Sequence, residues 1–294
     1  MKNFLILVIT VAIFCLGNAS RLRMLGGSEA PEDRFQYQAY LKNILKVKYD
    51  GFYCGASIID KRFVLTAAHC LDGEEPATTH VAVGTHELGS PDKVEYQAEA
   101  FFVHQCHLGG DDFNIKEKGL NDIALIRLKE DIEFNEKVKP IGLPPAADYQ
   151  SPEGTTAILT GWGRIKEKGR IPTKMEMLTV LVEDTEKCKK LYEHANETIT
   201  HIDSGMLCAK MQKNQGFCNG DSGGPLVDAR GYQIGVVSTV KHCGNGVPDI
   251  YSKVSHYAKW INGIIKGRAW YTKWYKGFVN FFNNMLPIVN TCNL

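Results

Sequence analysis

Three side chains able to do nucleophilic chemistry together stand out in the 294-residue sequence: His69 in "LTAAHC", Asp122 in "NDIALI" and Ser222 in "CNGDSGGPL". A serine hydroxyl is a weak nucleophile. It needs a histidine to take its proton and a carboxylate to fix the imidazole tautomer and stabilise the imidazolium. Ser222 follows Asp221 and precedes Gly223 and Gly224, a setting for either a surface turn or a held nucleophile. His69 ends an apolar run and precedes Cys70, where a cross-link can fix the backbone, and Asp122 stands at the mouth of another apolar run. Taken singly, a His beside a Cys reads as structural and an Asp before a strand as a turn residue.

The elements that must position these groups read as β. Short segments such as "FVLTAA", "HVAVGT", "DIALIRL", "TAILTGWG" and "IGVVST" are rich in branched residues and are punctuated by Gly, Pro, Asp and Asn. Long helical periodicity is missing until near the C-terminus. Many short strands with Gly-rich turns predict an all-β sandwich or barrel architecture rather than a parallel α/β sheet. The length suits one sizeable domain or a pair of small ones. With 34 Lys and Arg against 33 Asp and Glu, no global field selects nucleic acid or an anionic surface.

Residues 1–19 carry one lysine, an apolar run through Leu16, and small residues at Gly17 and Ala19. They read as a secretory signal peptide cut after Ala19, which predicts a secreted, extracellular protein. The alternative is an N-terminal membrane anchor, for which the apolar run is short. Loss of the signal removes Cys15 and leaves eight of nine cysteines: Cys54, Cys70, Cys106, Cys188, Cys208, Cys218, Cys243 and Cys292. An even count in an exported chain predicts four disulfides. No close Cys or Cys-His pairing has zinc-site spacing, so no metal or other cofactor is expected. Asn196 in "NET" is a glycosylation sequon.

Taken in order, "LTAAHC", "NDIALI", "GWG" at Gly161 to Gly163 and "GDSGGPL" resemble the trypsin and chymotrypsin family of serine proteases. The resemblance spans about Met24 to Lys266. It implies two packed six-stranded antiparallel β-barrels with a C-terminal helix and an active site between them. His69, Asp122 and Ser222 become the catalytic triad of an endopeptidase acting on proteins or peptides, with water the only cosubstrate and protein inhibitors among its partners. The backbone N–H groups of Gly220 and Ser222 become the oxyanion hole. Asp221 is expected to pair with an α-amino group freed when the zymogen is cut. "RLRMLGG" offers Arg23 as the site for an activating protease, with residues 20–23 as a short propeptide and Met24 as the new N-terminus. Met24-Leu25 stands where the family usually has Ile-Val. The resemblance also implies disulfides Cys54–Cys70, Cys188–Cys208 and Cys218–Cys243, leaving Cys106 and Cys292 to pair.

By the same resemblance Gly216 forms the floor of the substrate pocket, where trypsin-like enzymes carry an aspartate. Phe217 and Val240 are expected to narrow that pocket, which Ser238 also lines. Asp249 lies on its wall, and some chymotrypsin and collagenase-like relatives from arthropods combine a floor glycine with an aspartate there. Asp249 either meets a basic substrate side chain or hydrogen-bonds locally, taking up a proton in a tight apolar pocket. The expected specificity is chymotrypsin- or elastase-like. A protease-like binding protein with an obstructed pocket is the rival reading.

Residues 267–294 form an added extension. Trp270, Tyr271, Trp274, Tyr275, Phe278, Phe281, Phe282 and Met285 recur at three- and four-residue steps, with Lys273 and Lys276 between them. Such a stripe fits a basic amphipathic helix that binds a membrane surface or partner, or a helix docked on the protease body with Cys292 as its anchor.

Overall fold

The structure is a computed structural model that describes residues 27–107, 120–145, 149–195, 202–210, 216–239, 243–244 and 246–267. Among them, no helix is long and apolar enough to cross a membrane. The expected tail helix, the activation residues Arg23 and Met24, Asn196, Val240 and Cys292 all lie outside the described residues.

Thirteen strands and two α-helices make up the described architecture. The first barrel closes in the order β2 (Gln38–Asn43), β3 (Phe52–Ile58), β4 (Phe63–Thr66), β7 (Ala124–Leu128), β6 (Val94–Val103) and β5 (Thr79–Val83). The second runs β9 (Glu176–Glu183), β10 (Met206–Lys210), β13 (Asp249–Lys253), β12 (Gln233–Thr239), β11 (Pro225–Asp228) and β8 (Thr156–Gly161), with β8 pairing back onto β9. The short β1 (Ser28–Glu29) adds to the edge of β9. All pairings are antiparallel, so the two six-stranded barrels are as the sequence predicts.

Alternation explains the strands. In β9, Leu178, Val180 and Val182 point into the second core while Leu181 faces solvent. Helix α1 (Thr185–His194) was not foreseen, because its polar sequence carries little periodic apolar signal. A local signal was present: Asp184 caps the helix by accepting a hydrogen bond from the Lys187 backbone N–H at 3.0 Å. Helix α2 (Val254–Ile265) lays Val254, Tyr257, Ile261 and Ile264 onto the core of the first barrel. Each such side chain contributes about 1.5–3 kcal/mol of apolar burial before ordering costs.

An aromatic seam joins the barrels. Tyr40, Phe52 and Trp162 meet edge to face, with centroids 5.4 to 6.5 Å apart. Buried polar contacts cross the same seam: Ser57 Oγ donates to Gln233 Oε1 at 2.7 Å, and Thr160 Oγ1 donates to Gln38 Oε1 at 2.6 Å. Unsatisfied, these groups would cost more than they contribute when paired, so they set how the barrels sit together.

Candidate active site

Register brings His69 and Asp122 together. Strands β4 and β7 run antiparallel with Thr66 opposite Ala124, so the residues leaving β4 and those entering β7 emerge at one end of the barrel. His69 opens a short 3₁₀ turn there, whose next residue Cys70 is bonded to Cys54 on β3. Asp122 grips the histidine twice. Its Oδ2 lies 2.8 Å from Nδ1 of His69, and its Oδ1 accepts the His69 backbone N–H at 2.9 Å.

Two further hydroxyls secure Asp122, one on its carboxylate and one on its backbone. Ser238 Oγ donates to Asp122 Oδ2 at 2.6 Å, and Ser252 Oγ donates to the Asp122 carbonyl at 2.6 Å. Ser238, expected only as a pocket residue, thus serves the aspartate. Ser252 was missed because nothing local in "IYSKV" marks it. Burial opposes ionisation of Asp122, yet the adjoining His69 imidazole and the hydrogen bonds from His69 and Ser238 hold its carboxyl well below the ordinary range. Asp122 is almost fully buried, whereas the His69 side chain is 38% exposed and can reach a substrate.

Ser222 is placed by backbone contacts with the same frame. Its carbonyl accepts the Gly55 N–H at 2.7 Å, one residue beyond Cys54. Gly223, at φ +79°, packs so closely on Thr66 and the Gly55 carbonyl that a Cβ there would collide with both. The turn carrying Ser222 is therefore pressed against the strand ends that carry His69. The backbone N–H groups of Gly220 and Ser222 donate to no acceptor among the described residues, and the aromatic ring of Phe52 underlies Gly220.

Asp221 faces the other way and is fully buried. It accepts the Gly163 N–H at 2.8 Å and the Cys218 N–H at 3.0 Å. Burial pushes its carboxyl up to about 6 against those two bonds. Gly161 and Gly163 have no room for a Cβ, since the Asp221 carboxylate occupies that space. Cys54, His69 and Cys70 offer ligand atoms within 4.8 Å of one another, but the two sulfurs form a disulfide and are not thiolate ligands.

A family model described as Trypsin matches residues 24–261. The chain belongs to the trypsin family. It is 35% identical to chymotrypsin-2 of Vespa crabro over 81% of this chain and 98% of that protein. It is 33% identical to glucanase inhibitor protein 3 of Phytophthora infestans over 85% of this chain and 92% of that one. Among solved structures it resembles neuropsin, a serine protease of mouse brain, with a TM-score of 0.71 and 29% identity over 82% of this chain and all of that one.

Cys188–Cys208 and Cys218–Cys243 are formed, the second directly beside Phe217. Phe217 is buried in the core of the second barrel, edge to face with Tyr251 at 5.5 Å. Asp249 is also buried, and its Oδ2 accepts the Phe217 N–H at 3.0 Å. Of its two envisaged roles, the local hydrogen bond is the one seen. Burial, against that single backbone bond, pushes the Asp249 carboxyl well above its ordinary range. A Cβ on Gly216 would come 3.1 Å from Asp249 Oδ2, so a carboxylate at position 216 would crowd the one Asp249 already places there.

Proposed function

We propose that the protein is a secreted serine endopeptidase, made as a zymogen, that hydrolyses proteins or peptides. The observation that carries this reading is the doubly held Asp122–His69 pair on the same frame as the Ser222 turn. His69 takes the Ser222 proton as Oγ attacks the scissile carbonyl, and the N–H groups of Gly220 and Ser222 receive the developing oxyanion. His69 then gives the proton to the leaving amine. Water, activated by the same imidazole, releases the acyl group from Ser222. Asp122 stays ionised throughout and balances the imidazolium. The glycine-lined Asp221 site suits a cation better than solitude, and the Met24 ammonium, freed by an activating protease at Arg23, is the group the sequence supplies for it. Protein inhibitors that fill the same cleft are the natural partners.

A protease-like binding protein is the second reading, supported by a relative named as a glucanase inhibitor. One experiment separates the two. Protein cut after Arg23 should react with an organophosphonate at one site, Ser222, and lose hydrolytic activity in proportion. Uncut protein, or an Arg23→Gln variant, should react several orders of magnitude more slowly. Absence of labelling in cut material would favour the binding protein, and full activity of uncut material would remove the zymogen.

Specificity follows from Gly216 and Asp249. A buried carboxyl already used by the Phe217 N–H offers little to offset the desolvation of an incoming guanidinium. We expect kcat/KM for peptides cut after apolar residues to exceed that for Arg by about tenfold or more, equivalent to about 1.4 kcal/mol. A peptide-library profile dominated by Arg and Lys would mean that Asp249 turns to the substrate.

A further inference from the structure

Six of the seven described cysteines pair with one another, and Cys106 is also disulfide-bonded, to a partner outside the described residues. The sequence leaves only Cys15 and Cys292 within the chain. Cys15 sits in the apolar run read as a removable signal, which leaves Cys292. The setting of Cys106 gives that bond a consequence. Its carbonyl accepts Asn121 Nδ2 at 3.1 Å, and Asn121 immediately precedes Asp122. Asn121, at φ +52°, also accepts the Tyr257 hydroxyl of α2 at 3.3 Å through its Oδ1. Cys106, α2 and the backbone carrying Asp122 therefore form one connected patch.

An aromatic face adjoins this patch. The His104 ring lies 5.3 Å from Tyr257 and 5.2 Å from Trp260. Burial, with His256 and His107 nearby, pushes His104 down to about 4, so its ring is uncharged at neutral pH. Trp260 is half-buried, and its indole N–H is shielded yet meets no acceptor among the described residues. From Trp260 to Ile265 at the end of α2 is about 7.5 Å at helical rise. The stretch from Gly267 to Cys292 would span roughly 37 Å as a straight helix, so reaching Cys106 requires the chain to double back. Pro287, five residues before Cys292, supplies a break, and the aromatic stripe ahead of it supplies apolar cover.

We propose that residues 268–292 fold back over the His104–Trp260 face and are fastened by a Cys106–Cys292 disulfide, making the C-terminal extension a clasp on the segment that carries Asp122. The inference rests on the secreted reading, since bond formation needs an oxidising route. The two thiols lose two protons and two electrons to a disulfide-exchange donor, which leaves as its dithiol. An occupant from this chain is favoured over a membrane because the tether holds the stripe beside an aromatic face of its own protein.

The test uses the secreted full chain. Digestion without reductant should yield a peptide pair containing Cys106 and Cys292 that separates on reduction. Cys106 joined to Cys15 or to a second chain, or a free Cys292 thiol, would overturn the proposal. The map requires no turnover, so its failure leaves the endopeptidase reading untouched, and a failed phosphonate reaction leaves the map untouched. Docking is read separately with a Lys-specific protease acting at Lys273 and Lys276. These sites should be cut at least about tenfold more slowly in the native chain than in the Cys106→Ser/Cys292→Ser variant, as expected when cleavage must await local opening. The variant should also melt roughly 5–10 °C lower. Equal cleavage in the two proteins, or sedimentation of the native chain with phosphatidylserine vesicles, would count against a docked clasp.

Discussion

Ser222→Ala and His69→Ala should each leave a folded protein whose kcat is lower by roughly 10⁶, the scale on which serine-histidine units fail when either member is removed. The reason is mutual dependence. Without the imidazole the hydroxyl keeps its proton, and without the hydroxyl the imidazole has no nucleophile to activate. Neither change should unsettle the barrels, because Ser222 is held by its carbonyl and His69 by its backbone N–H, and both groups survive substitution. Stopped assays on a chromogenic peptide, with circular dichroism melts alongside, would check this. Hydrolysis within tenfold of the parent in either variant would remove the pair from the mechanism.

Replacing Asp122 with Asn should lower kcat by about 10⁴, the size of this change in the Ser-His-Asp triad of the same family. The geometry gives a reason specific to these contacts. Three donors converge on the carboxylate: the His69 backbone N–H on Oδ1, and the His69 ring together with the Ser238 hydroxyl on Oδ2. An amide can present only one oxygen. If its NH₂ faces the ring, Nδ1 must become the acceptor and the proton moves to Nε2, where a base is needed. If its NH₂ faces the backbone instead, a buried donor meets a donor, at a cost of about 1–3 kcal/mol. Burst kinetics with an activated ester would read the acylation step directly. A loss of less than tenfold would mean that Asp122 does not set the tautomer.

Several features were legible because they are local. The branched runs "FVLTAA", "HVAVGT", "DIALIRL", "TAILTGWG" and "IGVVST" announce β4, β5, β7, β8 and β12, and Gly223 and Gly224 after Ser222 announce a turn. Others were not. Helix α1 is polar overall and buries only Cys188 and Tyr192, so its one clear signal was the cap at Asp184. Phe217 was expected as an obstacle in the pocket, and its place in the barrel core depends on Tyr251 arriving from a strand 34 positions onward.

By itself the sequence determined the class of structure and the candidate chemistry. Periodicity of two and turn residues at short intervals depend only on neighbours along the chain, so they are readable before folding. Tertiary structure alone decided who serves whom. Ser238 and Ser252 lie 116 and 130 residues from Asp122, and they meet it only because the second barrel closes against the first. The fate of Asp249 was decided in the same way. Its carboxyl could face a substrate or a backbone N–H, and barrel closure brought the Phe217 N–H to 3.0 Å while burying both. A hydrogen bond between distant strands depends on register and packing angle summed over the whole fold, and no window of sequence contains that sum.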